Sequence, residues 1–206
     1  MNPTDDTPLI LASTSRYRRE LLTRLRLPFE VQSPGVDETP LAGEAPAALA
    51  QRLALEKARA VAQRHLSAVV IGSDQVADLD GLSIGKPGTH ERAVQQLRQM
   101  SGREVVFQTA VAVVCIARGF EAVELAAVQV RFRELGDAEI EHYLRAETPY
   151  DCAGSAKSEG LGIVLLQTIV SDDPTALIGL PLIRTAALLR RAGLALLGTP
   201  RAGAVT

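Results

Sequence analysis

Leu9-Ile10-Leu11-Ala12 is a short apolar run closed by Ser13-Thr14-Ser15, the pattern of a buried strand that ends in a polar turn. Residues 16–26 follow with Leu21, Leu22 and Leu25 at helical spacing and arginines between them, and Phe29-Glu30-Val31 alternates as a second strand would. Pro46 opens an Ala/Leu-rich helix reaching to about His65, since proline is tolerated at a first helical position. Residues 68–72 read as another buried strand, ending at Ser73-Asp74-Gln75. The Asp80-Gly81 pair predicts a tight hairpin turn, and Thr89 caps a helix that stops near Ser101-Gly102. Residues 105–116 and 122–132 are β-rich and meet at Arg118-Gly119, which predicts a long hairpin. Residues 137–146 read as helix, 163–170 as strand and 182–192 as a closing helix, with a frayed tail from Leu197.

Helices and strands alternate, but a long antiparallel hairpin interrupts them. This predicts an α/β fold with a mixed sheet rather than an all-parallel one. There is no internal repeat, no low-complexity tract and no Pro/Gly/Ser-rich linker, so residues 1–206 are read as a single domain.

Composition narrows the function classes. The chain is 47% apolar and 22% charged with a formal charge of −2, which excludes a disordered polymer and lacks the basic surplus of a general nucleic-acid binder. No apolar run reaches the roughly 18 residues needed to span a bilayer. The first seven residues carry Asp5 and Asp6 but no Lys or Arg, unlike a secretory leader, so the cytoplasm is the expected compartment. Cys115, Cys152, His65, His90 and His142 are too few and too scattered for a zinc site or a disulfide scaffold. Of 22 basic residues only Lys57, Lys86 and Lys157 are lysines. Such a chain keeps lysine where a compact point charge is needed, or simply reflects arginine-rich codon usage.

Six stretches are candidates for chemistry. Residues 13–19 lie between a strand and a helix, where unpaired N–H groups bind anions; with Ser13 and Arg18 they form either a phosphate cradle or a cap followed by a solvated basic face. Asp37-Glu38 stand in a loop and matter only if another acid converges on them. Lys57 shares a helical stripe with Leu49 and Leu53, and either snorkels outward or points into a cleft. Asp74, just past a buried strand, stands where α/β proteins present catalytic groups, or is a turn-forming residue. With a divalent cation bound, such an aspartate holds the metal or draws a proton from the attacking water. Gly85-Lys86-Pro87 is not a Walker loop, because proline replaces the required Ser or Thr. Residues 153–162 combine three glycines with Ser155, Lys157 and Glu159; Ser155 and Lys157 are two apart rather than three, which favours a binding loop over a serine–lysine hydrolase. Several cations with separated acids is what a triphosphate and its metal require.

The segments LILASTSRYRRELL, VDETP, LALEKA, VIGSDQV, GKP, CAGSAKSEGLGI and DDPTALIGLPL, in this order and at family-like separations, resemble the Maf family of nucleoside triphosphate pyrophosphatases. The resemblance implies an elongated mixed sheet flanked by helices, with a cleft between two lobes as in Maf and ITPase proteins. It implies hydrolysis between the α- and β-phosphates with a divalent metal, Mg2+ or Mn2+, acting on a small nucleotide with no nucleic acid or membrane as partner; a homodimer is one option for its assembly. By position, Asp74 is the proton acceptor and shares the metal with Glu38, while Ser13, Arg18, Lys57, Lys86 and Lys157 neutralise the phosphates. Base choice is implied to rest on Tyr17, Gln75 and Glu159, which resemble the 7-methyl-GTP branch. A cationic 7-methylguanine suits an aromatic face, and a carboxylate accepts its Watson–Crick N–H donors. Two positions depart from the family pattern: Arg16 replaces the usual Pro, leaving the phosphate turn less rigid, and Tyr17 replaces Trp, weakening the stacking. The alternatives are a dTTP/UTP pyrophosphatase of the same family and a non-catalytic nucleotide-binding regulator of septum formation.

Overall fold

The computed structural model describes residues 7–197. Their elements are β1 (Leu9–Ala12), α1 (Arg16–Thr23), β2 (Glu30–Gln32), α2 (Pro46–Ala62), β3 (Val69–Leu79), β4 (Leu82–Ile84), α3 (His90–Met100), β5 (Glu104–Cys115), β6 (Phe120–Phe132), α4 (Asp137–Glu147), β7 (Leu166–Val170) and α5 (Leu182–Arg191). The strands form one seven-stranded sheet in the order β2-β1-β3-β5-β6-β7, with β4 attached to β3. β1 runs parallel to both β2 and β3, while the β3-β5-β6-β7 ladder is antiparallel. The expected mixed α/β sheet is therefore present.

Three apolar layers cover this sheet. α2 lays Leu49, Ala50, Leu53, Ala54, Ala58 and Val61 against Ile10, Val70, Ala112 and Val114. On the opposite face Leu21 and Leu22 of α1 and Leu188 and Leu189 of α5 pack on Leu11, Ile71, Val111 and Val113. At the far end of the long strands, α3 and α4 bring Leu97, Met100, Ile140 and Leu144 onto Phe107, Val128, Val130 and Phe132. β3, β5 and β6 thus run through two lobes, each with its own apolar filling.

Gly72 decides how closely α2 approaches. A Cβ there would lie 2.1 Å from Ala54 O and 2.6 Å from Ala58 N, so only glycine lets the helix backbone rest on β3. Small residues on both partners set this spacing, and the next residues of β3 and α2 inherit it.

Several boundaries differ from the sequence reading. β3 does not stop before Ser73-Asp74-Gln75; it continues to Leu79, with Asp74 opposite Ala110 and Gln75 opposite Thr109 on β5. These polar side chains stay in the strand because partners meet them: the Ser73 hydroxyl shares its one proton between Ala110 O at 2.8 Å and Gly179 O at 3.0 Å. α1 ends at Thr23 rather than Arg26, because the next amides bond three residues back and Arg26 turns to a φ of 55°. α2 ends at Ala62, and α4 runs one residue past Ala146 to Glu147. β7 starts at Leu166, since Leu161–Leu165 forms a 3-10 turn. Leu197 is 93% exposed, and the rest of the expected frayed tail lies outside the described residues. No helix among the described residues is long and apolar enough to cross a membrane.

Candidate active site

The site forms along an open edge in the middle of β3. β1 pairs with β3 only as far as Gly72, and β4 pairs with it only from Ala77. Between them residues 73–76 have neighbours on one side alone, that of β5. Successive side chains of this stretch point to opposite faces, so one short edge supplies an acid from the α2 face and an amide from the other. Catalytic groups need not stand at the end of a strand if the neighbouring strand stops early.

A cavity of about 520 Å³ opens at this edge. One wall is cationic. Ser15 caps α1, its hydroxyl accepting from Arg18 N–H, and Ser13 Oγ accepts from Ser15 N–H at 3.1 Å. Arg18 Nε donates to Gly179 O at 2.9 Å, and its guanidinium lines the cavity with Lys57 and Lys86. Burial pushes the Arg18 pKa down, opposed by the nearby carboxylates of Asp74 and Glu38. Lys57, only 4% exposed, places its Nζ 2.7 Å from Asp74 Oδ1 and 2.6 Å from Glu38 Oε1. The close packing at Gly72 explains the first contact: Lys57 lies on α2 between Ala54 and Ala58, and Asp74 lies two residues past Gly72 on the same strand face. For Glu38, burial raises the carboxyl pKa, but the Lys57 hydrogen bond and the charges of Lys57, Lys86 and Arg18 outweigh it and hold the group below its ordinary range.

The other end of the cavity carries Tyr17, Gln75, Asp151, Cys152 and Glu159. Gln75 Nε2 lies 2.9–3.0 Å from Ala176 O, Leu177 O and Thr109 Oγ1 and shares its two hydrogens among these three acceptors. Two of these partners are carbonyls and can only accept, so the amide cannot turn around. Its Oε1 is the end presented to the cavity. Glu159 is a second acceptor; partial desolvation by its surroundings is the main cause of its raised pKa. The Cys152 thiol, pushed up to about 12 mainly by burial, stays protonated and is no nucleophile. Arg16 lies over the Tyr17 ring, 4.7 Å from its centroid, and donates to the Tyr17 hydroxyl at 2.6 Å.

Residues 8–192 match the family model described as Maf-like protein. The chain belongs to the Maf family. It is 72% identical over 189 residues to a 7-methyl-GTP pyrophosphatase of Polaromonas sp. (strain JS666), an alignment covering 92% of this chain and 86% of that protein. The protein of the same name from Albidiferax ferrireducens is 67% identical, covering 92% of this chain and 96% of the relative. A third, from Burkholderia thailandensis, is 61% identical over 95% of this chain and 93% of its own length.

In this Maf chain the structure gathers Ser13, Tyr17, Arg18, Glu38, Lys57, Gln75, Lys86 and Glu159 around one cavity. Asp74 stands just behind the wall, joined to it through Lys57. Lys157 is not part of that lining: it pairs with Glu147, and its Nζ lies 5.9 Å from the centroid of the Tyr17 ring, which is. The Maf motifs at the two ends of the site are stitched together by backbone bonds, Gly154 N–H to Gly85 O and Gly88 N–H to Tyr150 O.

Sequence reasoning missed the Gly179 carbonyl, which orients both Arg18 and Ser73, and Glu147. A backbone acceptor has no residue type to betray it. Glu147, at the end of an amphipathic helix, looks like any solvated helix-end acid.

As to a metal, no group of three or more His, Cys, Asp or Glu side chains that could hold one exists among the described residues. Glu38 and Asp74 converge on Lys57 with one oxygen each, so a second oxygen of each remains. Two hard carboxylates suit a cation such as Mg2+, which takes one or two carboxylates and completes its shell with water and phosphate oxygens. They do not suit a closed zinc cage.

Proposed function

We propose that this Maf protein hydrolyses 7-methyl-GTP to 7-methyl-GMP and pyrophosphate, removing a modified nucleotide. The observation that carries the reading is Glu38 and Lys57 in the wall of a cavity, with Asp74 joined to them just behind it, while the opposite end holds an aromatic ring and two acceptors. The names of relatives at 61–72% identity agree with it.

The triphosphate lies along Arg18, Lys57 and Lys86, with the N-terminal turn of α1 adding backbone N–H groups. Asp74 is the general base. Lys57 holds its Oδ1, so Oδ2 takes the proton of a water that attacks the α-phosphorus. A new P–O bond forms there, the bond to the bridging oxygen breaks, and pyrophosphate leaves with its charge covered by the cationic wall. Glu38, through the oxygen Lys57 leaves free, would hold a divalent cation, Mg2+ or Mn2+, beside Asp74, and when bound it supplies further neutralisation of the phosphate charge. No covalent enzyme intermediate is needed, because the good leaving group is already in place.

The base end explains the choice of nucleotide. Gln75 Oε1 and the Glu159 carboxylate both accept, so they ask for a base edge that donates. Guanine offers an imino and an amino donor, whereas uracil and thymine offer one imino donor. Tyr17 provides the π-face that a cationic 7-methylguanine prefers.

The test is product analysis on a panel of 7-methyl-GTP, GTP, dTTP and UTP with Mg2+ or Mn2+. Pyrophosphate release with the highest kcat/KM on 7-methyl-GTP is expected. Release of orthophosphate, or a preference for UTP, overturns the reading.

A further inference from the structure

Glu147 takes no part in the reaction described above, yet its side chain is only 14% exposed and both its oxygens are engaged. Oε1 receives the Lys157 ammonium, and Oε2 receives Leu161 N–H at 2.7 Å. These partners stand at the two ends of residues 157–161, and Glu159 lies midway between them. The Lys157 hydrogen bond, then the Leu161 N–H, hold the Glu147 carboxyl below its ordinary range, so the clamp is ionic.

The segment closes around this carboxylate because two residues lack side chains. A Cβ on Gly160 would lie 2.7 Å from Glu147 Oε2, and one on Gly162 would lie 2.5 Å from Lys157 O. A turn bond from Gly160 N–H to Lys157 O at 3.1 Å completes the loop. Four residues earlier on the same helix, Tyr143 Oη accepts from Lys157 N–H at 3.0 Å and donates to Ser155 O at 3.1 Å. The last turn of α4 is thus the mount on which the loop is built.

We propose that Glu147 is the positioning residue of the base-recognition loop: by holding Lys157 and Leu161 it fixes Glu159 at the cavity, and it sets base preference without touching the nucleotide. The inference rests on the reading that Glu159 accepts the base's N–H donors. Lys157 then acts mainly as the partner of Glu147 and only indirectly on the substrate.

The experiment measures kcat and KM for 7-methyl-GTP and UTP in the wild type, Glu147→Gln, Lys157→Met, their double variant and Glu159→Gln, with thermal melts for each. Glu147→Gln keeps an acceptor for Leu161 N–H but sets a neutral amide against the Lys157 ammonium. It is expected to raise KM for 7-methyl-GTP about tenfold, the scale of one lost charged hydrogen bond, with kcat within about twofold and UTP kinetics nearly unchanged. Lys157→Met is expected to do the same, and the double variant to be no worse than either single one. If Glu147→Gln leaves the 7-methyl-GTP/UTP ratio intact while Glu159→Gln collapses it, the role of Glu147 is wrong and the base reading stands. If Glu159→Gln leaves the ratio intact, the base reading itself fails. A fall in kcat for both nucleotides alike would make Glu147 a general structural residue and overturn the proposal. Should Glu147→Gln not fold, Lys157→Met alone decides, through the same ratio.

Discussion

Lys57 donates to Asp74 at 2.7 Å across a helix–strand contact whose spacing is set by Gly72, seventeen residues separating the two in sequence. Both are almost fully buried, so each holds the other's charge in a place where neither would be stable alone. The same lysine reaches the more exposed Glu38 and so ties the solvent-facing acid to the enclosed one.

Asp74→Asn keeps the shape of this contact and removes the proton acceptor proposed above. The expected result is a kcat reduced by about a hundredfold or more with KM little changed, read from pyrophosphate release. Lys57→Met instead leaves Asp74 buried without a counter-charge and is expected to cost about 3 kcal/mol in urea unfolding.

Gly72→Ala places a methyl group against Ala54 O and Ala58 N. The helix must move off the strand, at an expected cost of roughly 3 kcal/mol, the upper end for overpacking. Because α2 carries Lys57, kcat is expected to fall with stability, and the two are measured together by thermal melts and product release.

Glu159 gives the pH dependence a definite sign. Its pKa is raised, chiefly by desolvation, so the carboxylate protonates above the ordinary glutamate range of about 4.3. KM for 7-methyl-GTP is expected to rise on acidification before the pH reaches that range, and Glu159→Gln is expected to remove this limb of the profile. In stability the proton is favoured by the fold. The contribution of Glu159 is therefore present below its unfolded pKa and lost as pH rises through the folded one, so Glu159→Gln is expected to melt higher than wild type at neutral pH.

Arg16 already supplies a cation to the Tyr17 ring, 4.7 Å from its centroid. A cationic base must compete with it, whereas neutral guanine gains less from that face. Arg16→Ala is expected to lower KM for 7-methyl-GTP relative to GTP by about threefold, in keeping with an exposed cation–π contact. Comparing two triphosphates cancels any effect of Arg16 on the phosphate chain.

The periodicities of the chain determined most of the elements by themselves: the apolar run at 9–12, the alanine stripe of α2, the Thr89 cap and the Arg118-Gly119 hairpin all follow from local preference and period. Motif order carried the family, because those residues are close in sequence and their chemistry is written in their side chains. Tertiary structure alone decided that β3 runs on through Asp74, since that depends on β5 offering partners and on β1 stopping one residue short of Ser73. It alone brought Glu38, Lys57 and Asp74 together, turned Gln75 with its oxygen to the cavity, and drew Lys157 to Glu147. Local sequence sets which backbone conformation is cheap, but hydrogen bonds and ion pairs between distant segments are settled only when packing has brought their donors and acceptors within reach.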